Sequence, residues 1–206
     1  MSIDHLIYAA PTLERGMDDI EARLGARPVY SGQHPGKGTH NALLALGPAV
    51  YLEVIAPDPA QAGVARPLWI AADAVAAPRL IYWAARAVSL EGLVERARRQ
   101  GLVLGPVSAG SRALPDGSEL RWRLTSPQVN PADGIIPFFI DWGDTPHPAG
   151  SLPSGGKLLA LEARHPEAES VNARMQMLGL EVPVRYAPEP ALVAWIKTAG
   201  GIALLT

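Results

Sequence analysis

The chain has 206 residues, 48% of them hydrophobic and 18% charged, with a formal net charge of −2 and no cysteine. This length and apolar content suit one large domain or two small modules sharing a core, and the charge argues against broad attraction to nucleic acid or anionic membranes. Without cysteine there are no disulfides, no thiolate metal sites and no cysteine nucleophile.

The opening Met1-Ser2-Ile3-Asp4-His5 lacks a basic segment followed by an apolar one, and no apolar run reaches bilayer-spanning length. The expected location is therefore the cytoplasm, bacterial by default. Residues 3–10 form an apolar run with strand-forming Ile and Tyr, ended by Pro11. Thr12 reads as an N-cap and Glu14 as a first-turn carboxylate. Leu13, Met17, Ile20 and Leu24 then recur at helical spacing up to Gly25. Strands are expected over 27–32, 39–46 and 50–56, with the loop His34-Pro35-Gly36-Lys37-Gly38 between the first two and Gly47-Pro48 turning into the third.

Residues 57–78, rich in Pro and Ala, read as a linker with a short helical turn, after which the pattern restarts. A strand is expected over 79–87, then a helix capped by Ser89 and stopped by Gly101, then strands at roughly 103–112, 119–125 and 135–142. The basic cluster Arg96, Arg98 and Arg99 falls on a solvated face of that helix. Thr12-Leu13-Glu14 aligns with Ser89-Leu90-Glu91, which is the signature of an internal repeat. A linker over 144–156 leads to a third, incomplete copy, with a strand at 157–164, a helix from Pro166 to Leu178, and strands at 182–186 and 191–205.

The expected fold is thus α+β. Two tandem βαβββ modules, 1–59 and 79–143, form a curved mixed sheet around a cup, and a partial βαββ module, 157–206, packs on the same domain.

The first module resembles the glyoxalase-like branch of the vicinal oxygen chelate superfamily. The resemblance rests on Ile3-Asp4-His5-Leu6, on His34-Pro35-Gly36-Lys37-Gly38-Thr39-His40-Asn41 and on Tyr51-Leu52-Glu53-Val54-Ile55-Ala56. The repeat carries it to about residue 143. It implies a divalent metal inside the cup that chelates neighbouring substrate oxygens, in isomerisation, epimerisation, ring-cleaving dioxygenation or thiol transfer. Some members of the superfamily bind a ligand without metal.

By that resemblance His5 and Glu53 stand at two metal-ligand positions, suited to Zn, Mn, Fe or Ni. In the second module Tyr82 aligns with His5 and Phe139 with Glu53, so the second ligand pair is missing. Asp141 substitutes if the register slips by two, or His40 completes a His-His-Glu set within one module. The alternative is that His5 and Glu53 bond each other, or line a polar pocket, with no metal; a carboxylate between Leu52 and Val54 needs a partner either way.

The glycine-rich loop between His34 and His40 either approaches an anion or makes a tight turn, and the turn is favoured. Asn41 orients a substrate carbonyl or caps that loop. Tyr82, Phe139 and Trp122 are candidate cup-lining rings, although core packing is the commoner use of rings. Arg121 and Arg123 share a strand face toward solvent, and His147 and His165 are expected at the surface.

The leading expectation is a metal-dependent lyase- or isomerase-type enzyme acting on a small oxygenated substrate, with His5 and Glu53 in the catalytic centre. The missing ligand pair disfavours a glutathione lactoylglutathione lyase and an extradiol dioxygenase. The rival is a metal-free protein that binds or sequesters a small molecule, as antibiotic-sequestering members of the superfamily do. A third possibility is dimerisation through the C-terminal copy.

Overall fold

The structure, a computed structural model, describes residues 1–113, 119–129 and 131–206. The chain is α+β. Among the described residues, none of its helices is long and apolar enough to cross a membrane.

The first module contains β1 (Ile3–Ala9), α1 (Leu13–Leu24), β2 (Val29–His34), β3 (Thr39–Ala45) and β4 (Tyr51–Pro57). Its strands run in the order β2-β3-β4-β1, antiparallel except for the parallel pair β4/β1. The second module repeats this with β5 (Arg79–Arg86), α2 (Leu90–Arg99), β6 (Val107–Ala113), β7 (Glu119–Thr125) and β8 (Phe138–Asp141), in the order β5-β8-β7-β6 with β5/β8 parallel. Parallel neighbours cannot be joined by a tight hairpin, and in each module the helix and two further strands make the connection between them.

By chain contact, two compact units form. The first holds His5–Tyr82, Pro148–Glu162 and Ala191–Thr206, and the second holds Met1–Asp4, Trp83–His147 and Ala163–Pro190.

α1 begins where Thr12 Oγ1 accepts a hydrogen bond from the Arg15 amide at 3.3 Å, and it ends at Gly25 in the left-handed region. It buries Leu13, Gly16, Ile20 and Leu24. Tyr8 on β1 donates its hydroxyl to Asp19 Oδ2 at 2.5 Å; burial, and then this bond to a carboxylate, push the phenol above its ordinary range.

Gly16 lets α1 approach the sheet, since a Cβ there would lie 2.5 Å from Val54 Cγ1 and 2.8 Å from Ala10 Cβ. Gly16→Ala gains about 1 kcal/mol of helix propensity but overpacks this contact by about 1–3 kcal/mol. A net loss of about 1 kcal/mol in urea unfolding is expected, and a stabilised variant would refute the close-approach role.

α2 differs at its start. Ser89 takes a left-handed conformation with φ 56° and makes no side-chain capping bond, so the expected hydroxyl cap is absent. β8 is also shorter than the expected 135–142, because residues 131–134 form a 3-10 turn and the strand begins only at Phe138.

The C-terminal segment supplies β9 (Lys157–His165), α3 (Ala168–Met177), β10 (Val184–Tyr186), β11 (Ala191–Thr198) and β12 (Gly201–Leu205). It is therefore βαβββ in element order rather than the expected βαββ, and its pairing is not that of a module. The parallel partner of β9 is β10, the first strand after its helix, whereas that of β1 is β4, the third. β11 and β12 form an antiparallel hairpin.

Candidate functional site

In the first unit, strand register gathers polar side chains around Glu53. The parallel pairing of β1 with β4 sets His5 against Tyr51 and Ile7 against Glu53, so His5, Tyr51 and Glu53 share a sheet face. Val54, the next residue, packs under α1 and so marks the opposite face. The His5 ring stacks on Tyr51 with centroids 4.5 Å apart and planes 14° from parallel. Its Nε2 lies 3.7 Å from Glu53 Oε2.

Asn41 enters from β3. The pairing Asn41↔Ile55 and Leu43↔Glu53 puts it diagonal to Glu53 on the same face, and its Nδ2 donates to Glu53 Oε1 at 2.7 Å. His34, at the end of β2, adds a second imidazole: its Nε2 is 3.6 Å from Glu53 Oε1 and 3.3 Å from Asn41 Nδ2. His34 Nδ1 lies 2.9 Å from Thr39 Oγ1, and Trp69 stands edge-on to the ring at 4.6 Å. His5, Asn41 and Glu53 are each at most 5% exposed, whereas the His34 side chain is 16% exposed and meets solvent.

The sequence places His34 in a loop beside a glycine turn. The signal that would have found it is the length of β2, which runs two residues past the expected end at 32 and shifts register between Tyr30 and Gly32. The loop itself is a hairpin turn: the Lys37 amide donates to His34 O at 3.0 Å, and Gly36 and Gly38 adopt φ of 71° and 72°.

His40 follows the strand alternation away from this cluster. It pairs with Ala56, sits edge-on to Tyr30 and has Nδ1 4.0 Å from Asp58 Oδ1. Asp58 in turn caps the 3-10 turn at Pro59–Gln61 by accepting from the Ala60 amide at 2.9 Å.

In the second module the register identifies the counterparts. Ala9↔Ile55 with the Ala10 amide on Ile55 O matches Arg86↔Ile140 with the Ala87 amide on Ile140 O. Counting back, Tyr82 corresponds to His5, and Phe138 corresponds to Glu53. The sequence alignment through Phe139 is therefore one residue out, because strand pairing rather than residue type sets the register. Phe139 instead corresponds to Val54. It is fully buried, with its amide donating to Thr125 Oγ1 at 3.0 Å. Tyr82 is buried too, and that burial pushes its phenol above the ordinary range.

Asp141 pairs with Arg123 across β7/β8, and Arg123 bonds Glu91 on α2. Asp141 Oδ1 accepts the Gly143 amide at 3.0 Å. Trp122 lies over Gly110, where a Cβ would meet the ring at 2.6 Å, and its ring is 5.8 Å from that of Trp142. Both Trp122 and Asp141 line an open groove of about 870 Å³ in the second unit. The expected substrate-binding residues thus divide: Asn41 joins Glu53, Tyr82 and Phe139 are core, and Trp122 and Asp141 line the groove.

His165 is buried and His147 half-buried, rather than both lying at the surface. His147 Nε2 lies 3.3 Å from the buried Asp4, and His165 is 5% exposed with Nε2 3.4 Å from Asp133. Their polar sequence neighbours gave no sign of these partners, which come from distant segments.

The donor set does not fit a metal centre. Among the described residues no three His, Cys, Asp or Glu side chains are gathered so as to hold a metal ion. Glu53 Oε1 is taken by an amide donor, and the second-module counterparts of His5 and Glu53 are a buried phenol and a phenyl ring.

Residues 3–179 match the family described as a glyoxalase-like domain. No curated protein sequence matches the chain. Among solved structures, a hypothetical protein from Staphylococcus aureus is similar at a TM-score of 0.67 and 12% identity, covering 99% of this chain and 98% of that one; at such identity the likeness bears on fold alone. The methylmalonyl-CoA epimerase from Mycobacterium tuberculosis gives a TM-score of 0.41 at 21% identity over 67% of this chain and 84% of that one. A variant of the Streptomyces coelicolor methylmalonyl-CoA epimerase, in complex with 2-nitronate-propionyl-CoA, gives 0.45 at 17% identity over 72% of this chain and 99% of that one.

Proposed function

The chain belongs to the glyoxalase-like domain family, and on that premise we propose that it is an isomerase- or lyase-type enzyme that moves a proton on a small oxygenated substrate, with Glu53 as the base. The observation that supports this reading is the buried Glu53 carboxylate, oriented by Asn41 at 2.7 Å and flanked by the imidazoles of His34 and His5 at 3.6 and 3.7 Å. A base must lie within reach of the proton that it takes and must be held in one orientation. The Asn41 amide fixes Oε1 and leaves Oε2 on the His5 side.

A proton taken by Glu53 from a carbon next to a carbonyl gives an enolate, or an enediolate where that carbon bears a hydroxyl. Returning the proton to the former carbonyl carbon, while the hydroxyl proton passes to the former carbonyl oxygen, isomerises the substrate; in this reading His5 carries the proton between the oxygens. No step is routed through a metal, since the donor set does not fit one.

A second reading, binding without chemistry, is favoured by one observation: the second-module counterparts Tyr82 and Phe138 are a phenol and a phenyl ring, not the imidazole and carboxylate of His5 and Glu53. One experiment separates the two. In D2O, proton NMR follows loss of the C–H signal beside the carbonyl of hydroxyacetone, glyceraldehyde and pyruvate. The enzyme reading expects exchange above the buffer rate, slowed about 100-fold in Glu53→Gln. Binding of any of these compounds with no exchange by wild type on all three would overturn it and leave the binding reading.

A further inference from the structure

The C-terminal hairpin leaves one strand edge open. β12 pairs with β11 on one side and, among the described residues, with no strand on the other. Edge strands recruit further chain unless something blunts them, such as a charge, a proline, a bulge or very short length. β2 has a register shift between Tyr30 and Gly32, and β10 is three residues long with Arg185 among them. β12, with the sequence Gly-Ile-Ala-Leu-Leu, has none of these devices. Its outer face is apolar as well, with Ile202 68% exposed and Leu204 46%.

The hairpin also fixes which backbone groups face outward. Only Ala199 and Gly200 separate Thr198 from its partner Gly201, so that closing pair is hydrogen-bonded, and bonded pairs alternate from there. Gly201, Ala203 and Leu205 therefore turn their N–H and C=O toward β11, while Ile202 and Leu204 hold theirs outward. Thr206 continues the alternation, and its carbonyl does point away from β11, since it accepts the Leu80 amide at 3.0 Å. The open stretch is thus 202–204.

We infer that a second copy of this chain pairs antiparallel with β12, about a twofold axis through Ala203. Ile202 then stands opposite the partner's Leu204 and Leu204 opposite the partner's Ile202, and each pair exchanges both of its N–H···O bonds. Ala203 meets the partner's Ala203 in the unbonded pair between them. On the outer face the row across the strands reads Lys197, Ile202, the partner's Leu204 and the partner's Trp195, because Lys197 pairs with Ile202 and Trp195 with Leu204 within each copy. Apolar side chains meet at the centre and the two lysines lie at opposite ends, so no like charges stand opposite each other. Leu80 bounds the contact, and the residues that reach that end, the partner's Gly200 and the partner's Gly201, bring no side chain. The pairing is short, so the association is weak and concentration-dependent. It does not depend on chemistry at Glu53.

Sedimentation equilibrium of the full chain tests this. The mass is expected to rise with concentration from 21.8 kDa toward twice that value. Ile202→Glu sets a carboxylate opposite the partner's Leu204 but beside Lys197 of its own copy. It should weaken the dimer about tenfold or more and leave urea unfolding of the monomer unchanged. The chain has no cysteine of its own, so introduced thiols report the register. Under mild oxidation Ala203→Cys should form a disulfide dimer faster than Val88→Cys, a 78% exposed control, because the unbonded pair sets its Cα atoms about 4.5 Å apart. A monomer at concentrations up to about 1 mM would overturn the inference and leave the edge to an extended peptide of another protein. A dimer untouched by Ile202→Glu, or equal crosslinking of the two cysteine variants, would overturn it too, since either puts the contact elsewhere.

Discussion

Asp4→Ala is expected to destabilise the protein by about 3 kcal/mol in urea unfolding, one of its largest single-residue losses. Asp4 is fully buried, and three side chains from distant parts of the second unit converge on it. The Arg86 guanidinium donates to Oδ2 through Nε at 3.0 Å and Nη2 at 2.9 Å. Trp142 Nε1 lies 3.1 Å from the same oxygen, and His147 Nε2 lies 3.3 Å from it. Removing the carboxylate deletes the acceptor of two guanidinium N–H groups and of the indole N–H.

Breaking a buried ion pair by deleting one partner costs about 3–5 kcal/mol. The lower end applies here because the Arg86 side chain is 34% exposed and can turn partly to water. Asp4→Asn keeps an acceptor of the same size and should lose about half as much. A loss below about 1 kcal/mol for Asp4→Ala would show that the cluster does not hold this unit together.

Gly156→Ala should cost about 4 kcal/mol, from two causes that add. Gly156 has φ +120°, a region that L-residues occupy only under strain of about 1–3 kcal/mol. Its added Cβ would also drive into the backbone carbonyl oxygen of Lys197 and stand 3.3 Å from Ile196 Cγ2. Lys197 is held by the β11/β12 hairpin, where it pairs with Ile202, so this obstacle is not a side-chain tip that can swing aside. Overpacking of that kind adds about 1–3 kcal/mol. Gly150→Ala is the control: nothing lies within 4 Å of its added Cβ, and a change of no more than about 0.5 kcal/mol is expected. Similar unfolding midpoints for the two variants would refute the close approach at Gly156.

Parts of the candidate site were legible before any contact was known. His5 and Glu53 stood out because each is a polar residue inside an apolar strand, a placement that demands a partner. The Asn41 amide is a candidate by residue type, but nothing in the sequence points to Glu53 as its partner. His34 was missed in this role because glycines on its far side made it look like loop, and a register shift after Tyr30 spoils any simple count along β2. His40 was a reasonable candidate by composition. Strand alternation, which turns Asn41 toward Glu53, turns His40 toward Asp58.

The sequence by itself determined the elements whose signals are local. Thr12 and Gly25 delimit α1 through bonds and dihedrals formed within a few residues, and the strand–helix–three-strand order recurs because each element carries its own periodicity. Only the tertiary structure decided which residues stand opposite each other. Phe138 rather than Phe139 answers to Glu53, β9 takes β10 as its parallel partner, and His147 meets Asp4 from the segment that follows the second module. Alternation along a strand says which residues share a face, but a slip of one residue inverts the face, and no local signal fixes it. Pairing between distant segments does, and in this chain that pairing builds the cluster around Glu53.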